Sequence, residues 1–167
     1  MAAIRDEELD AARLTEAVGD DQAGATVTFT GVVRNHDHGR SVTGIQYVGH
    51  PSAASIIAEV AGEFTDRAGV RVIAIEHRVG TLVVGDLAMV AAVSASHRAQ
   101  AFGTCSDLVD RIKERLPIWK HQQFADGTIE WTSPTGHVYR TTPGGAELFP
   151  ELRPKPPRSD KDRERIA

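Results

Sequence analysis

The segment from Ser96 to Pro117 constrains the fold most. Phe102, Cys105, Val109, Ile112 and Leu116 recur at steps of three and four residues, which puts them on one side of an α-helix. Ser96 is a side chain suited to cap the helix start. Pro117 ends it, because the residue before a proline avoids the α region. A helix with one apolar stripe must bury that stripe against another layer. Such a layer is available just upstream, where the turn signal Gly85-Asp86 precedes a continuous apolar run of strand length, Leu87 to Val93. Cys105 lies on the stripe and reads as core, not as a nucleophile.

The remaining elements follow from local pattern. Ala25 to Val33 alternates, with Val27, Phe29 and Val33 on one face and Thr26, Thr28 and Thr30 on the other. Val42 to Val48 reads as another strand, and the turn-rich Asn35-His36-Asp37-His38-Gly39 between the two predicts an antiparallel hairpin. Pro51-Ser52 opens a helix on which Ile56, Val60 and Phe64 recur, flanked by Ile57 and Ala61, with Gly69 as its expected C-terminal cap. Val70 to Val79 is β-rich and is interrupted by Gly80. Ile118 to Phe124 leads through Asp126-Gly127 to a last expected strand, Thr128 to Thr132. Strands and helices mix without a strict βαβ repeat, which predicts an α+β class with antiparallel sheets. The 167 residues suit one domain, expected over residues 1–133. Residues 134–167 crowd Pro134, Pro143, Pro150, Pro154, Pro156 and Pro157 with a charged end and read as an extended or disordered tail.

Charge narrows the function classes. The net charge is −4, yet residues 134–167 hold seven Lys or Arg against five Asp or Glu, so the body before them is at −6. An acidic body argues against nucleic-acid binding, and any basic site must be a local cluster built by the fold. No apolar run reaches the length of a membrane span, and the first ten residues lack the apolar stretch of a signal peptide. A cytoplasmic address is therefore expected. A single cysteine excludes an internal disulfide and a Cys-rich zinc site.

Three constellations carry candidate chemistry. Ser96-His97-Arg98 opens a helix, where free backbone N–H groups and the positive dipole end favour an anion such as a phosphate. The plain alternative is a solvated helix start. Lys113 follows Val109 by four residues and precedes Leu116 by three, at the edge of the apolar stripe, where partial desolvation would suit an acid/base role. The plain alternative there is a lysine whose stem covers the core. Lys120 comes seven residues later, beyond Pro117. Residues 1–133 contain ten arginines and only these two lysines, which points to a need for an ammonium at both. The third constellation is Arg34-Asn35-His36-Asp37-His38, at a strand end running into a loop. His36 and His38 invite a metal, with His50 or His77 as a third ligand. No acidic residue or further histidine falls at a recognised zinc spacing, so no metal is expected.

In chain order, Gly31-Val32-Val33-Arg34-Asn35-His36, Glu76-His77-Arg78-Val79-Gly80 with Gly85-Asp86, Ser96-His97-Arg98, and Lys113 through Pro117-Ile118-Trp119-Lys120 resemble one family. It is that of the large, catalytic subunits of molybdopterin synthase. The resemblance runs from about Ala25 to Trp131, and the ordered set, ending in Lys-x-x-x-Pro-x-Trp-Lys, is what makes it specific.

That resemblance implies an α/β hammerhead-type fold and a homodimer of large subunits. It implies a partner for each, a small ubiquitin-like sulfur carrier whose C-terminal Gly-Gly bears a thiocarboxylate. The implied substrate is cyclic pyranopterin monophosphate, a small pterin that receives two sulfurs to become the dithiolene of molybdopterin, with no cofactor required. It further implies that Lys113 is the main catalytic lysine and that Lys120 supports catalysis or holds the carrier's terminus. Arg34, Asn35, His36, His97 and Arg98 match substrate-binding positions. The family's basic residue shortly after the last-strand tryptophan is missing behind Trp131, which leaves Arg140 as its nearest stand-in. A catalytically idle module that docks a ubiquitin-like partner is the alternative reading.

Overall fold

The computed structural model describes residues 1–142. Strands β1 (Ala2–Arg5), β2 (Ala25–Val32), β5 (Val70–Arg78) and β7 (Leu87–Ala95) form one sheet in the order β1-β5-β7-β2. A second sheet holds β3 (His36–Asp37), β4 (Arg40–Gly49), β6 (Gly80–Val83), β8 (Ile118–Phe124), β9 (Ile129–Thr132) and β10 (Val138–Thr141). Its order is β10-β9-β8-β4-β3, with β6 also paired to β4. The helices are α1 (Ala11–Ala17), α2 (Ala53–Gly62) and α3 (Arg98–Arg115). Among the described residues β1 and β5 pair in parallel, and the other strand pairs are antiparallel. This is the expected α+β class.

The first sheet is covered on both faces. Helices α2 and α3, with Phe64 just past the end of α2, bring Ile57, Val60, Leu108 and Ile112 against Ile73, Ile75, Met89, Ala91 and Val93. The opposite face meets Leu9, Leu14 and Val18 through Ala74, Val90 and Ala92. That two-sided burial explains why β7 reads as a continuous apolar run and does not alternate. A separate cluster of Val33, Val42, Ile45, Leu82, Ala88 and Phe124 ties the second sheet to the first. Among the described residues no helix is long and apolar enough to cross a membrane.

The structure corrects the expected hairpin. β2 and β4 do not pair: β2 runs against β7, and β4 runs against β8, β6 and β3. The chain leaves the first sheet at a bulge between Gly31 and Val32. The Val33 N–H then donates to Asp86 O (2.9 Å), and Asn35 O accepts from the Val42 N–H (2.8 Å). Arg34 and Asn35 therefore sit where the chain crosses between sheets. The tight turn in this region joins β3 to β4, with His38 (φ 46°) and Gly39 (φ 76°) both left-handed, as a two-residue hairpin loop requires.

Helix ends also differ from expectation. Ser96 is not the cap of α3; His97 holds that position in an extended conformation, and its backbone N–H donates to Gln100 Oε1 at 3.1 Å. Phe102 leaves the apolar stripe and is exposed, while Ala101, Thr104 and Leu108 join Cys105, Val109 and Ile112 in the core. Gly69 does not cap α2, which ends at Gly62. It turns the chain into β5 at φ +80°, where a Cβ would collide with the Gln100 side chain. Pro117 does end α3, with Leu116 already extended.

The boundary expected at residue 133 falls inside the second sheet. β10 pairs with β9, Val138 opposite Thr132 and Arg140 opposite Glu130. The rest of the expected tail, residues 143–167, lies outside the described residues.

Candidate active site

The crossover between the sheets lines a cleft of about 630 Å³. Its walls come from β2, the Val33–Asp37 crossover, β4, β5, the last turn of α3, β8 and the turn after β9. Phe29, Ile45, Met89, Ile112 and Leu116 give it an apolar floor. Arg34, His36, Lys113 and Lys120 reach it from three separate elements. Residues as far apart in sequence as Arg34 and Lys120 thus converge because α3 packs on the first sheet and Pro117 turns the chain directly into β8.

Lys113 is exposed in the last turn of α3, and its Nζ lies 5.9 Å from the centroid of the Phe29 ring. That is within reach of a weak cation–π contact. It makes no ion pair among the described residues, not even with Asp110 three positions before it on α3. The partial burial expected for Lys113 is not what the single chain has; its stem borders the core and its ammonium faces the cleft. Lys120 is more enclosed. It lies on β8 opposite Tyr47, and its Nζ is 3.5 Å from Asp37 Oδ2. The other Asp37 oxygen accepts from Arg34 Nη2 at 3.2 Å. Burial pushes the Asp37 carboxyl up, and the Lys120 charge with hydrogen bonds from Gln122 and Lys120 more than offsets it, leaving the group below the usual carboxylate range. Asp37 is thus ionised and shared between two cations.

Asn35 does not line the cleft; its Oδ1 accepts from His36 Nδ1 at 2.7 Å and orients that ring. His97 and Arg98 are exposed at the far end of α3 and do not line it either. Fifteen residues of unbroken helix separate Arg98 from Lys113, roughly 22 Å. Arg140 is held by Glu130, with Nη2 to Oε2 at 2.7 Å. Cys105 is buried, and burial pushes its thiol up, away from thiolate chemistry. Among the described residues no three His, Cys, Asp or Glu side chains gather as a metal site.

The cleft is also lined by Asp37, Tyr47 and His77, to none of which the sequence assigns a role in binding substrate. Asp37 stood in the third constellation without a role. His77 enters the sequence reading only as a possible metal ligand and as part of the Glu76-His77-Arg78 motif; its place beside Glu76, two ionisable side chains at the end of a largely apolar strand, is the signal for a further role. Tyr47 had none, because an aromatic residue in a strand reads as packing.

Comparison with known proteins bears on the family of the chain. The chain is 34% identical over 120 residues to a molybdopterin synthase catalytic subunit from Nostoc sp., covering 70% of this chain and 73% of that protein. It is 36% identical over 130 residues to molybdopterin synthase catalytic subunit 1 of Mycobacterium tuberculosis, covering 77% and 87%. The crystal structure of molybdopterin synthase from Staphylococcus aureus superposes with a TM-score of 0.73 at 32% identity, over 81% of this chain and 97% of that one. The sequence model described as MoaE protein matches residues 4–115, and with these relatives it places the chain in the MoaE family.

Proposed function

We propose that this chain is the catalytic subunit of a molybdopterin synthase and acts as a sulfurtransferase. It moves sulfur from the C-terminal thiocarboxylate of a small ubiquitin-like subunit to cyclic pyranopterin monophosphate, forming the dithiolene. The observation that carries this reading is the convergence of Lys113, Lys120 and Arg34 on one apolar-floored cleft. The family resemblance and the named relatives supply the reaction; the cleft supplies groups that suit it.

The carrier brings its own nucleophilic sulfur, so the large subunit needs no cysteine, consistent with the buried Cys105. Each transfer forms a carbon–sulfur bond at a pterin side-chain carbon as that carbon's bond to oxygen breaks, the departing oxygen taking up a proton, and hydrolysis then breaks the bond between this sulfur and the carrier's acyl carbon. Water supplies the oxygen that restores the carrier's carboxylate. Arg34 and Lys120 receive the anionic peptide terminus by charge-assisted hydrogen bonds, displacing Asp37. Lys113, the cleft cation without an ion pair among the described residues, stabilises developing charge and moves protons at the reacting carbon. The apolar floor takes the flat pterin ring.

His97 and Arg98 fit a phosphate but lie too far from Lys113 to meet one small substrate on the same chain. A homodimer resolves this if one copy's helix start approaches the other's cleft. The test of the function is incubation with thiocarboxylated small subunit and cyclic pyranopterin monophosphate. Dithiolene product supports it; pterin and carrier both recovered unchanged would refute it.

A further inference from the structure

His77 belongs to the cleft, yet the sulfur-transfer reading gives it no task. It lies near the end of β5, opposite Met89 of β7, and lines the cleft. Its Nδ1 is 2.8 Å from the Arg78 carbonyl oxygen. A carbonyl oxygen can only accept, so Nδ1 carries the proton and Nε2 is left with a lone pair. The Tyr47 ring meets the imidazole edge-on, with centroids 5.2 Å apart and planes at 88°, and so fixes the ring's plane as well. Tyr47 is itself the cross-strand partner of Lys120, which puts the imidazole one side chain away from the cationic part of the cleft.

Nε2 has no hydrogen-bond partner among the described residues. It is also not one of the buried polar atoms sealed away without a partner, which are Arg40 Nη1 and Arg78 Nε. The free lone pair is therefore open to the cleft. Burial holds His77 at a pKa of about 4, only partly countered by the Arg78 carbonyl, so the ring stays neutral at physiological pH. The rest of the cleft is rich in donors, with Arg34, Lys113 and Lys120 all cationic. Its carboxylate acceptor, Asp37, is already shared between two of them. A neutral acceptor of fixed tautomer suits one ligand feature best, an N–H at the edge of a nitrogen heterocycle.

We infer that His77 Nε2 accepts a hydrogen bond from a ring or exocyclic N–H of the bound pterin and thereby selects for heterocycles that carry a donor there. The inference rests on the function proposed above and adds a specificity-determining residue to it. A site built to pair an N–H rejects an analogue that lacks it, because the buried acceptor is left unpaired.

Two substitutions separate this role from a structural one. Glutamine can place an acceptor near the position of Nε2, whereas asparagine can only replace Nδ1 and its bond to the Arg78 carbonyl. Affinity is measured for cyclic pyranopterin monophosphate without the small subunit, so that no turnover occurs. His77→Asn is expected to bind about tenfold more weakly and His77→Gln within about threefold of wild type. The reverse order would make His77 an anchor for the strand end and overturn the inference. A measurement on the wild-type chain removes dependence on either variant folding. In 15N-histidine-labelled protein, with His77 assigned through its own backbone, Nε2 should resonate as an unprotonated nitrogen and shift on adding the pterin. Cleft resonances that move while Nε2 stays still would overturn this inference alone. No movement anywhere in the cleft would overturn the function as well.

Discussion

Lys120 Nζ lies 3.5 Å from Asp37 Oδ2, and the other oxygen of that carboxylate holds Arg34. An ionised aspartate thus occupies, before any ligand arrives, the place between two cations that an incoming carboxylate would take. It keeps the two side chains extended into the cleft, and it competes with the ligand for both.

Removing that competition should strengthen binding of the carrier's terminus. Asp37→Asn keeps the side chain's shape as an amide and deletes one negative charge beside the incoming one. At partly exposed sites such a charge is worth about 1 kcal/mol, or about fivefold in affinity. Calorimetric titration with the small subunit should show tighter binding at low salt, with the gain shrinking as salt screens it. Unchanged or weaker binding at low salt would mean that Asp37 orients the cations more than it blocks them.

Arg98→Ala should weaken pterin binding more than carrier binding. A charge-assisted phosphate contact is worth about 1.5–3 kcal/mol. Because Arg98 and Lys113 stand at opposite ends of one unbroken helix, the stronger form of the prediction uses two mutants. Mixing Arg98→Ala subunits with Lys113→Ala subunits should restore activity that neither homodimer has. Sedimentation should find the chain as a dimer; a monomer, or no recovery on mixing, contradicts the shared site.

Much of this arrangement was legible in the sequence, and the failures have physical causes. The α3 stripe, its stop at Pro117 and the apolar β7 run follow from periodicity and proline sterics, which are local. The pairing of β2 with β7 was not legible, since alternation in a strand says which face is buried but not which strand lies beside it. The polar turn at residues 35–39 looked like the end of a β2–β4 hairpin because its own chemistry is that of a hairpin; it closes β3 onto β4 instead. The motif residues Lys113, Lys120, Arg34 and His36 do share a cleft, whereas His97 and Arg98 do not. A helix length could be counted from the sequence, so that separation was foreseeable. The roles of Asp37 and His77 depend on side-chain geometry across strands, which no spacing encodes.

Stability should fall in acid through Glu76. Its side chain is fully buried, with Oε1 held by Arg5 at 2.8 Å and Oε2 by Arg13 at 2.5 Å. Burial pushes this carboxyl up, and the hydrogen bonds and charges of Arg13 and Arg5 outweigh that, leaving it below its ordinary value. A depressed folded pKa contributes stability that is present above the unfolded value of 4.5 and lost as pH falls through the folded one. Glu76→Gln should cost about 1.5–3 kcal/mol at neutral pH, less than a fully enclosed pair because both guanidinium groups reach solvent. Denaturant melts of wild type and variant should converge as the pH drops below that range. A constant gap between them down to acid pH would show that the ionised form is not what stabilises.

The role of Lys113 is the centre of the account, and single-turnover formation of the dithiolene tests it most directly. The assay uses Lys113→Ala loaded with thiocarboxylated small subunit and cyclic pyranopterin monophosphate. Loss of a positioned acid/base or electrostatic group should slow product formation by about 10²–10⁴-fold. Because Lys113 is exposed and unpaired among the described residues, melting temperature and small-subunit affinity should stay close to wild type. A folded Lys113→Ala protein that forms dithiolene at the wild-type rate would contradict the account.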